Sequence, residues 1–321
     1  MKAAVVYGPN QPPVYADFSD PTPQEGLTLV EVTASALSNA TRARASGSSY
    51  LSAGSFPLVP GIDGVGRTKD GRRVGFLLPE APFGGMAEKT LVRNALCLPI
   101  PENVGDVLAA AIINPGQSPL GALRTRAALQ PGETVLINGA TGTTGQVAVQ
   151  IAKPLGASRV IATGRDAQTL ARLAELGADH TIDLTAESEA LQRDLESHAG
   201  DVDVVLDYLS GPPTEAVLAA ITRNHTAGTP IRYVIAGTSA AATTTVATSV
   251  LASTTLTLMG SGIGAVSVAH ILQAAKDALQ IAGTMQLQID IREVPLSQVA
   301  EAWADNDRRR VVFTAQGRPA S

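Results

Sequence analysis

The chain has 321 residues, of which 45% are hydrophobic and 17% are charged, and its formal net charge is −5. This length suits one large domain or two ordinary ones, and the lack of any block of like charges argues against a nucleic-acid partner. One cysteine and four histidines far apart in sequence exclude an intrachain disulfide and a cysteine-type zinc site, and leave no local metal-binding motif.

The first hundred residues predict β structure. Short β-prone runs at residues 28–32 and 73–76 are separated by turns rich in proline and glycine. The N-terminal apolar run is too short for a signal peptide, and no stretch of the chain is apolar for long enough to span a membrane. We therefore expect a cytoplasmic protein with no membrane partner.

From about Pro131 the pattern changes to strands that alternate with helical stretches. The predicted strands are Thr134–Asn138 and residues 159–163, 203–206, 232–236 and 256–259. This alternation predicts β-α-β units and a parallel sheet that is buried on both faces. Pro154 should end or kink the helix that follows the first of these strands.

The strongest chemical signal is a glycine-rich turn. The segment TVLINGATGTTG places Gly139, Gly142 and Gly145 at three-residue spacing between a buried strand and a helix. Glycines let a pyrophosphate approach the backbone, and a helix N-terminus offers it free N–H groups. With a second strand at the expected distance, the turn predicts a dinucleotide site and not merely tight packing of helix on strand. The predicted contacts are Gly139, Gly142, Thr143 and Thr144.

The end of the second strand indicates which dinucleotide binds. An NAD site carries an acidic residue there, whereas an NADP site carries a small residue with an arginine nearby for the 2′-phosphate. Gly164 and Arg165 fit the second pattern, so we expect both to bind the cofactor, NADPH (NADP⁺). Asp166 either contacts the ribose or caps the next helix.

The third and fourth strands end in further candidate residues. Ligands of open parallel sheets bind beyond the carboxyl ends of the strands. Asp207, Ala236 and Gly237 occupy such ends and are therefore candidate cofactor contacts, although Asp207 could equally be a capping residue.

Several phrases along almost the whole chain carry a family resemblance. They are MKAAV at the N-terminus, VPGIDGVG from Val59, LQPGETVL from Leu129, ELGADH from Glu175 and VDVVLD from Val202. Together they resemble the medium-chain dehydrogenase/reductase superfamily and its zinc-independent quinone oxidoreductases, the zeta-crystallin-like branch. The resemblance implies an α/β protein with a GroES-like, β-rich catalytic domain from residues 1–117 and 260–321. It also implies a Rossmann domain over residues 118–259, a cleft between the two domains, and a homodimer.

The resemblance also bears on the chemistry. The positions at which zinc-dependent relatives bind the catalytic metal are similar to Ser38, Ile62 and Asn114 here, and an isoleucine cannot bind zinc, so we expect no metal in this role. The implied reaction is hydride transfer from NADPH to a quinone or to the β-carbon of an α,β-unsaturated carbonyl. Hydrogen-bond donors then stabilise the charge that develops on the carbonyl oxygen.

The candidate catalytic residues are Tyr50, Asn114 and Ser38, and Asn39 is a candidate neighbour of the nicotinamide. Each has a structural alternative: Tyr50 could be a loop aromatic, Ser38 and Asn39 could form a turn, and Asn114 could be a helix cap or a turn residue. Two other functions stay open. They are an enoyl-thioester reductase of lipid or polyketide synthesis, and a sensor that binds NADPH without turnover.

Overall fold

The computed structural model describes residues 1–47, 55–305 and 307–315. The chain divides into two compact units. We call Met1–Gln117 together with Ala275–Ser321 the first unit, and Ser118–Ala274 the second unit. The second boundary lies later in the chain than residue 259, because the segment after the last strand of the second unit remains bonded to that unit. The Ser261 N–H donates to the carbonyl of Ile235 at 2.8 Å.

The strands, in chain order, are β1 (Lys2–Val5), β2 (Val14–Asp17), β3 (Leu27–Ala36), β4 (Asp63–Thr68), β5 (Arg73–Leu77), β6 (Lys89–Arg93), β7 (Cys97–Pro99), β8 (Thr134–Asn138), β9 (Arg159–Gly164), β10 (His180–Asp183), β11 (Val204–Asp207), β12 (Ile231–Ile235), β13 (Leu256–Gly260), β14 (Ile291–Pro295) and β15 (Arg310–Thr314).

The helices are α1 (Asn39–Ser46), α2 (Asp106–Leu120), α3 (Thr143–Ala152), α4 (Ala167–Glu175), α5 (Ser188–Ala199), α6 (Pro212–Asn224), α7 (Thr248–Ser253), α8 (Val268–Thr284) and α9 (Val299–Ala304). A π-helical segment, Gly121–Arg126, continues α2, and short 3-10 turns precede β7 and α9. Among the described residues, no helix combines the length and the apolarity needed to cross a membrane.

The first unit is built on a seven-stranded sheet. Its order is β14-β15-β3-β4-β5-β7, and β6 pairs with β3. All of these pairs are antiparallel except β14 with β15, and β1 and β2 form a separate antiparallel pair. The predicted β structure of the N-terminal hundred residues is therefore confirmed, and both ends of the chain contribute to this GroES-like unit.

The second unit contains a six-stranded parallel sheet in the order β10-β9-β8-β11-β12-β13. Relative to the first strand of the unit, this is the 3-2-1-4-5-6 order of a Rossmann fold. Successive residues of β8 point to opposite faces, since Val135 and Ile137 belong to one buried apolar cluster and Leu136 to another. The centre of the sheet is thus buried on both faces, and the predicted α/β fold with a Rossmann domain is confirmed.

The predicted strands of the second unit match the observed ones to within one residue at each end. The predicted strands do not include β10, which is only four residues long and has a single fully buried residue, Ile182. So short and weakly apolar a segment carries little periodic signal. Helix α3 ends at Ala152, and Pro154 follows in the next turn, as the missing backbone donor of proline requires.

Candidate cofactor-binding site

Parallel pairing aligns the carboxyl ends of the central strands in the second unit. Asp207 of β11 has Asn138 of β8 as its Cα partner on one side and Ile235 of β12 on the other. Gly164 ends the neighbouring strand β9. The segments that carry the predicted cofactor residues therefore leave the sheet along one edge.

The glycine-rich turn joins β8 to α3 in the strand–turn–helix context that its sequence predicts. Gly139 has a φ of +86°, in the left-handed region that favours glycine. A Cβ atom on Gly145 would lie 2.5 Å from the Cα of Ala140, so the first turn of α3 packs directly on the strand end. A Cβ atom on Gly142, by contrast, would have only one backbone oxygen within 4 Å, and Gly142 is exposed.

Helix α3 begins without a side-chain cap. Gly142 is its N-cap residue and is extended, and the first turn contains no acidic side chain. The first N–H groups of a helix have no partner within the helix, and the helix dipole adds a partial positive charge there. The N–H groups of Thr143 and Thr144, two partly exposed residues, therefore remain available for an anionic group.

A buried polar network holds the glycine turn in place. The hydroxyl of Thr163 accepts the N–H of Gly139 at 3.2 Å and donates to the side-chain oxygen of Asn138 at 2.6 Å. The amide of Asn138 in turn donates to the carboxylate of Asp207 at 3.1 Å. The turn after β8 is thus linked through side chains to the end of β11.

Asp207 is the centre of this network. One carboxylate oxygen accepts the N–H groups of Leu209 and Ser210, and the other accepts the hydroxyls of Thr214, at 2.5 Å, and Tyr233, at 2.6 Å. The side chain is fully buried. We therefore assign Asp207 a positioning role, in agreement with the capping alternative.

Tyr233 keeps its proton in this environment. Burial, followed by the negative charge of Asp207, raises the pKa of Tyr233 well above its usual value. The hydroxyl therefore acts as a donor to the carboxylate at any physiological pH. No local sequence pattern identifies Thr163, Thr214 and Tyr233, because a buried polar network is assembled only when the strands and α6 pack together. Asn138, a polar residue at the end of an apolar strand, was the one local signal.

The end of β9 has no room for an acidic side chain. A Cβ atom on Gly164 would lie 2.2 Å from Cγ2 of Thr141. Arg165 is exposed and makes no hydrogen bond or ion pair with a described residue. The Asp166 carboxylate accepts the N–H of Thr169 at 2.9 Å and its hydroxyl at 2.6 Å. Asp166 is therefore the cap of α4, which was one of its two interpretations.

Ala236 and Gly237 follow β12 and lie against the loop after β11. Their N–H groups both point to the carbonyl of Asp207, at 2.7 and 3.2 Å. A Cβ atom on Gly237 would lie 2.7 Å from the carbonyl oxygen of Tyr208, and the carbonyl of Gly237 accepts the Ser210 hydroxyl at 2.9 Å. Glycine is thus required here for close packing of two loops at the sheet edge.

The remaining candidates belong to the first unit. Tyr50 lies outside the described residues. Ser38 is buried and caps α1, because its hydroxyl accepts the N–H of Thr41 at 3.0 Å. Asn39 is the first residue of α1 and is exposed. The side chain of Ile62 lies in the core, with 2% exposure.

Asn114 lies in the interior of α2, followed by Pro115 and Gly116 within the same helix. The expected structural alternative for Asn114, a helix cap or a turn, is therefore wrong. Proline lacks the N–H of an interior helix position, and here the helix continues through it. Asn114 is partly exposed and forms no hydrogen bond with a described residue.

A buried carboxyl group lies next to Ile62, and no sequence pattern points to it. Asp63 is fully buried, and neither of its carboxylate oxygens has a hydrogen-bond partner among the described residues. Burial raises the pKa of Asp63 to about 7, although the positive charge of Arg310 opposes the shift. Arg310 is buried as well and donates to the carbonyl of Leu37 at 2.7 Å.

Comparisons with known proteins agree with this fold. A family model described as a zinc-binding dehydrogenase matches residues 143–281. The probable NADPH-dependent quinone reductase tdiC of Emericella nidulans is 28% identical over 98% of this chain and 99% of its own length. The acrylyl-CoA reductase AcuI of Ruegeria pomeroyi is 35% identical, over 47% of this chain and 50% of its own.

A solved structure is similar over the full length. The quinone oxidoreductase of Thermus thermophilus, whose structures include a complex with NADPH, has a TM-score of 0.81 and 28% identity, covering 98% of this chain and all of its own. Three observations agree: the Rossmann strand order, the GroES-like unit and the full-length similarity to quinone reductases. The comparisons therefore support an oxidoreductase of the medium-chain dehydrogenase/reductase superfamily that is similar to the quinone oxidoreductases.

Proposed function

We propose that this oxidoreductase is a zinc-independent reductase that uses NADPH to reduce a quinone or an α,β-unsaturated carbonyl compound. The observation that carries the proposal is the uncapped N-terminus of α3 behind an open glycine turn, at the edge where the parallel strands end. When bound, NADPH supplies a hydride. The side chains and backbone groups of the chain bind the cofactor and stabilise the charge that develops on the substrate.

The turn fits a pyrophosphate. A side chain at position 142 would project into the open space that a phosphate requires, and the free N–H groups of Thr143 and Thr144 would donate to its oxygens. The left-handed backbone at Gly139 and the buried bond from its N–H to Thr163 hold the turn in this shape. The binding site is thus organised before the cofactor arrives.

The end of β9 favours NADPH over NADH. A carboxylate at position 164 would collide with Thr141 and would repel a 2′-phosphate. Arg165, exposed and without a partner among the described residues, supplies a guanidinium that suits a phosphate. Asp166 does not compete for the ribose, because the cap of α4 occupies its carboxylate. The names of the tdiC and Thermus relatives support the same cofactor.

Transfer of a hydride to a carbonyl-conjugated carbon leaves negative charge on the carbonyl oxygen. A donor held near this oxygen lowers the barrier, and a proton then comes from water or a side chain. Asn114 is the donor that we favour, since its amide is partly exposed and has no other described partner. Ser38 is a weaker candidate because its hydroxyl already serves the cap of α1. Tyr50 remains a candidate by resemblance.

No zinc is needed for this reaction. The positions similar to the zinc ligands of relatives carry Ser38, Ile62 and Asn114, and the hydrocarbon side chain of Ile62 is buried in the core. Full activity after exhaustive treatment with a chelator supports this part of the proposal. Loss of activity that only zinc restores, in a protein that circular dichroism shows to be still folded, would contradict it.

We also propose a homodimer that forms through the edge of the parallel sheet. β13 is the last strand of this sheet and pairs with β12 on one side only, among the described residues. Leu258 projects from it and is 36% exposed. Light scattering should give twice the chain mass, and a Leu258→Arg variant should shift the protein to monomer. A monomeric wild-type protein at micromolar concentration would refute the dimer.

The test of the cofactor is a comparison of NADPH and NADH binding by fluorescence titration. The wild type should bind NADPH more tightly. Arg165→Ala should weaken NADPH binding by about tenfold or more, equivalent to about 1.4 kcal/mol, and leave NADH binding unchanged. Arg172→Ala, a change of another arginine in the neighbouring α4, is the matched control. Equal affinity for the two cofactors in the wild type would refute the NADPH assignment.

A second candidate function is reduction of an enoyl thioester. It is favoured by the similarity to the acrylyl-CoA reductase, which covers about half of each chain. Consumption of NADPH with a panel of quinones, simple enones and acrylyl-CoA distinguishes the candidates by their kcat/KM values. Binding of NADPH without consumption across the panel would favour a sensor instead.

A further inference from the structure

Three potential metal ligands meet between β10 and α5 of the second unit. His180 is the first residue of β10, and Asp194 and His198 lie one turn apart on α5. Nε2 of His180 is 2.9 Å, and Nε2 of His198 is 3.5 Å, from the same carboxylate oxygen of Asp194. The sequence showed no metal motif, because these groups follow no recognised ligand spacing and only the fold joins them.

The geometry of this His180–Asp194–His198 cluster suits a small divalent ion. One ligand atom from each residue lies within 4.8 Å of the other two. A tetrahedral zinc ion with bonds of about 2.0–2.1 Å requires separations of about 3.4 Å between ligand atoms. The two measured separations from the carboxylate oxygen, 2.9 and 3.5 Å, lie on either side of that value.

We propose that the His180–Asp194–His198 cluster is a binding site for a divalent transition-metal ion of the zinc type. Two imidazoles and one carboxylate form a donor set that binds such ions in preference to calcium or magnesium. The three side chains are between 28% and 36% exposed, so the ion can enter from solvent and water can complete its coordination. The ion would join a short edge strand to the helix that follows it.

The imidazole rings of His180 and His198 lie next to each other. Their centroids are 3.6 Å apart, and the ring planes are tilted by 33° to each other. A metal ligand must be a neutral imidazole, and Nε2 of each ring is the atom that faces the Asp194 carboxylate.

Arg159 competes with the ion. Its guanidinium donates to Nδ1 of His198 at 2.7 Å, so the proton of the neutral ring lies on Nε2, which faces Asp194. Binding of a metal at Nε2 moves that proton to Nδ1, and Arg159 must then give up this contact. Arg159 also pairs with Asp201 at 3.3 Å and keeps this partner. Removal of the guanidinium should therefore strengthen metal binding.

The test is a zinc titration of the full-length, untagged protein after metal removal, with a chromophoric chelator as competitor. We expect one zinc ion per chain, and a loss in affinity of about tenfold or more in His198→Ala and Asp194→Asn. Arg159→Gln should bind zinc more tightly than the wild type. His270→Ala is the control, since His270 lies on α8, outside the cluster, and bonds to Ser267.

Two further measurements make the test decisive. Cobalt absorption spectra should show a bound ion in the wild type and none in His180→Ala, and circular dichroism should show that all variants are folded. Absence of zinc binding by the wild type would overturn the proposal. Zinc binding of equal affinity in the wild type, His198→Ala and Asp194→Asn would do the same. The result does not depend on NADPH or on any reductase activity.

Discussion

Between pH 4 and pH 8, the free energy of unfolding of the first unit should depend on pH mainly through one residue, Asp63. Its carboxyl group is fully buried without a hydrogen-bond partner among the described residues, and its pKa is raised from 3.8 to about 7. An acid with a higher pKa in the folded protein favours folding most below the unfolded pKa. This contribution is fully present below about pH 4 and is lost as the pH rises through about 7.

The size of the effect follows from the two pKa values. The interval from 3.8 to about 7 corresponds to about 4 kcal/mol, at about 1.4 kcal/mol for each pH unit. Asp63→Asn removes the titration. The stability of the variant relative to the wild type should therefore rise by about this amount between pH 4 and pH 8. The attraction of the ionised carboxylate to Arg310 is already contained in the folded pKa, so it adds nothing further to this difference.

The single tryptophan provides the assay. Trp303 lies in α9 of the first unit, so its fluorescence during urea denaturation reports on the unit that contains Asp63. Asp70→Asn is the matched control. The Thr68 hydroxyl and Arg72 lower the pKa of Asp70 to about 2, so this variant should show no titration between pH 5 and 8. Parallel stability curves for the wild type and Asp63→Asn from pH 4 to 8 would refute the reasoning.

Two further predictions concern the second unit. Tyr233→Phe removes a buried donor to the Asp207 carboxylate and should lower the free energy of unfolding by about 2 kcal/mol. Urea denaturation monitored by circular dichroism measures this change. An unchanged denaturation midpoint would contradict a stabilising role of the buried network. Gly145→Ala places a methyl group 2.5 Å from the Cα of Ala140 and should displace the first turn of α3, so that NADPH affinity falls by about tenfold or more. The matched control is Gly105→Ala, since nothing lies within 4 Å of the Cβ position of Gly105. Gly132→Ala is not equivalent, because the φ of Gly132 is positive. Retention of full NADPH affinity in Gly145→Ala would show that the turn tolerates the shift.

The sequence determined the parallel sheet and the glycine turn. Four apolar strands of the second unit, β8, β9, β11 and β12, have a strong local signal, because a strand buried on both faces is apolar throughout. The segment TVLINGATGTTG needs glycine for reasons that act within a few residues: a left-handed φ at Gly139 and contact between helix and strand at Gly145. Such local requirements can be read without knowledge of distant contacts.

Local patterns could not decide between two possible roles of the same residue. Asp166 could cap a helix or bind a ribose, and only the structure shows its bonds to Thr169. The structural alternative for Asn114 is a cap or turn residue. Asn114 instead lies inside α2, because that helix continues through Pro115. Whether Asn114 and Ser38 act in catalysis stays a prediction.

The sequence by itself thus determined the fold class and the glycine turn, and it predicts a phosphate-binding role for Gly164 and Arg165. Tertiary structure decided how polar groups are used. Asp207 receives donors from other strands and from α6, and His180 meets His198 across the space between β10 and α5. The physical reason is that the energetic consequence of a buried charge or hydrogen bond depends on every neighbouring group, and those neighbours come from distant parts of the chain.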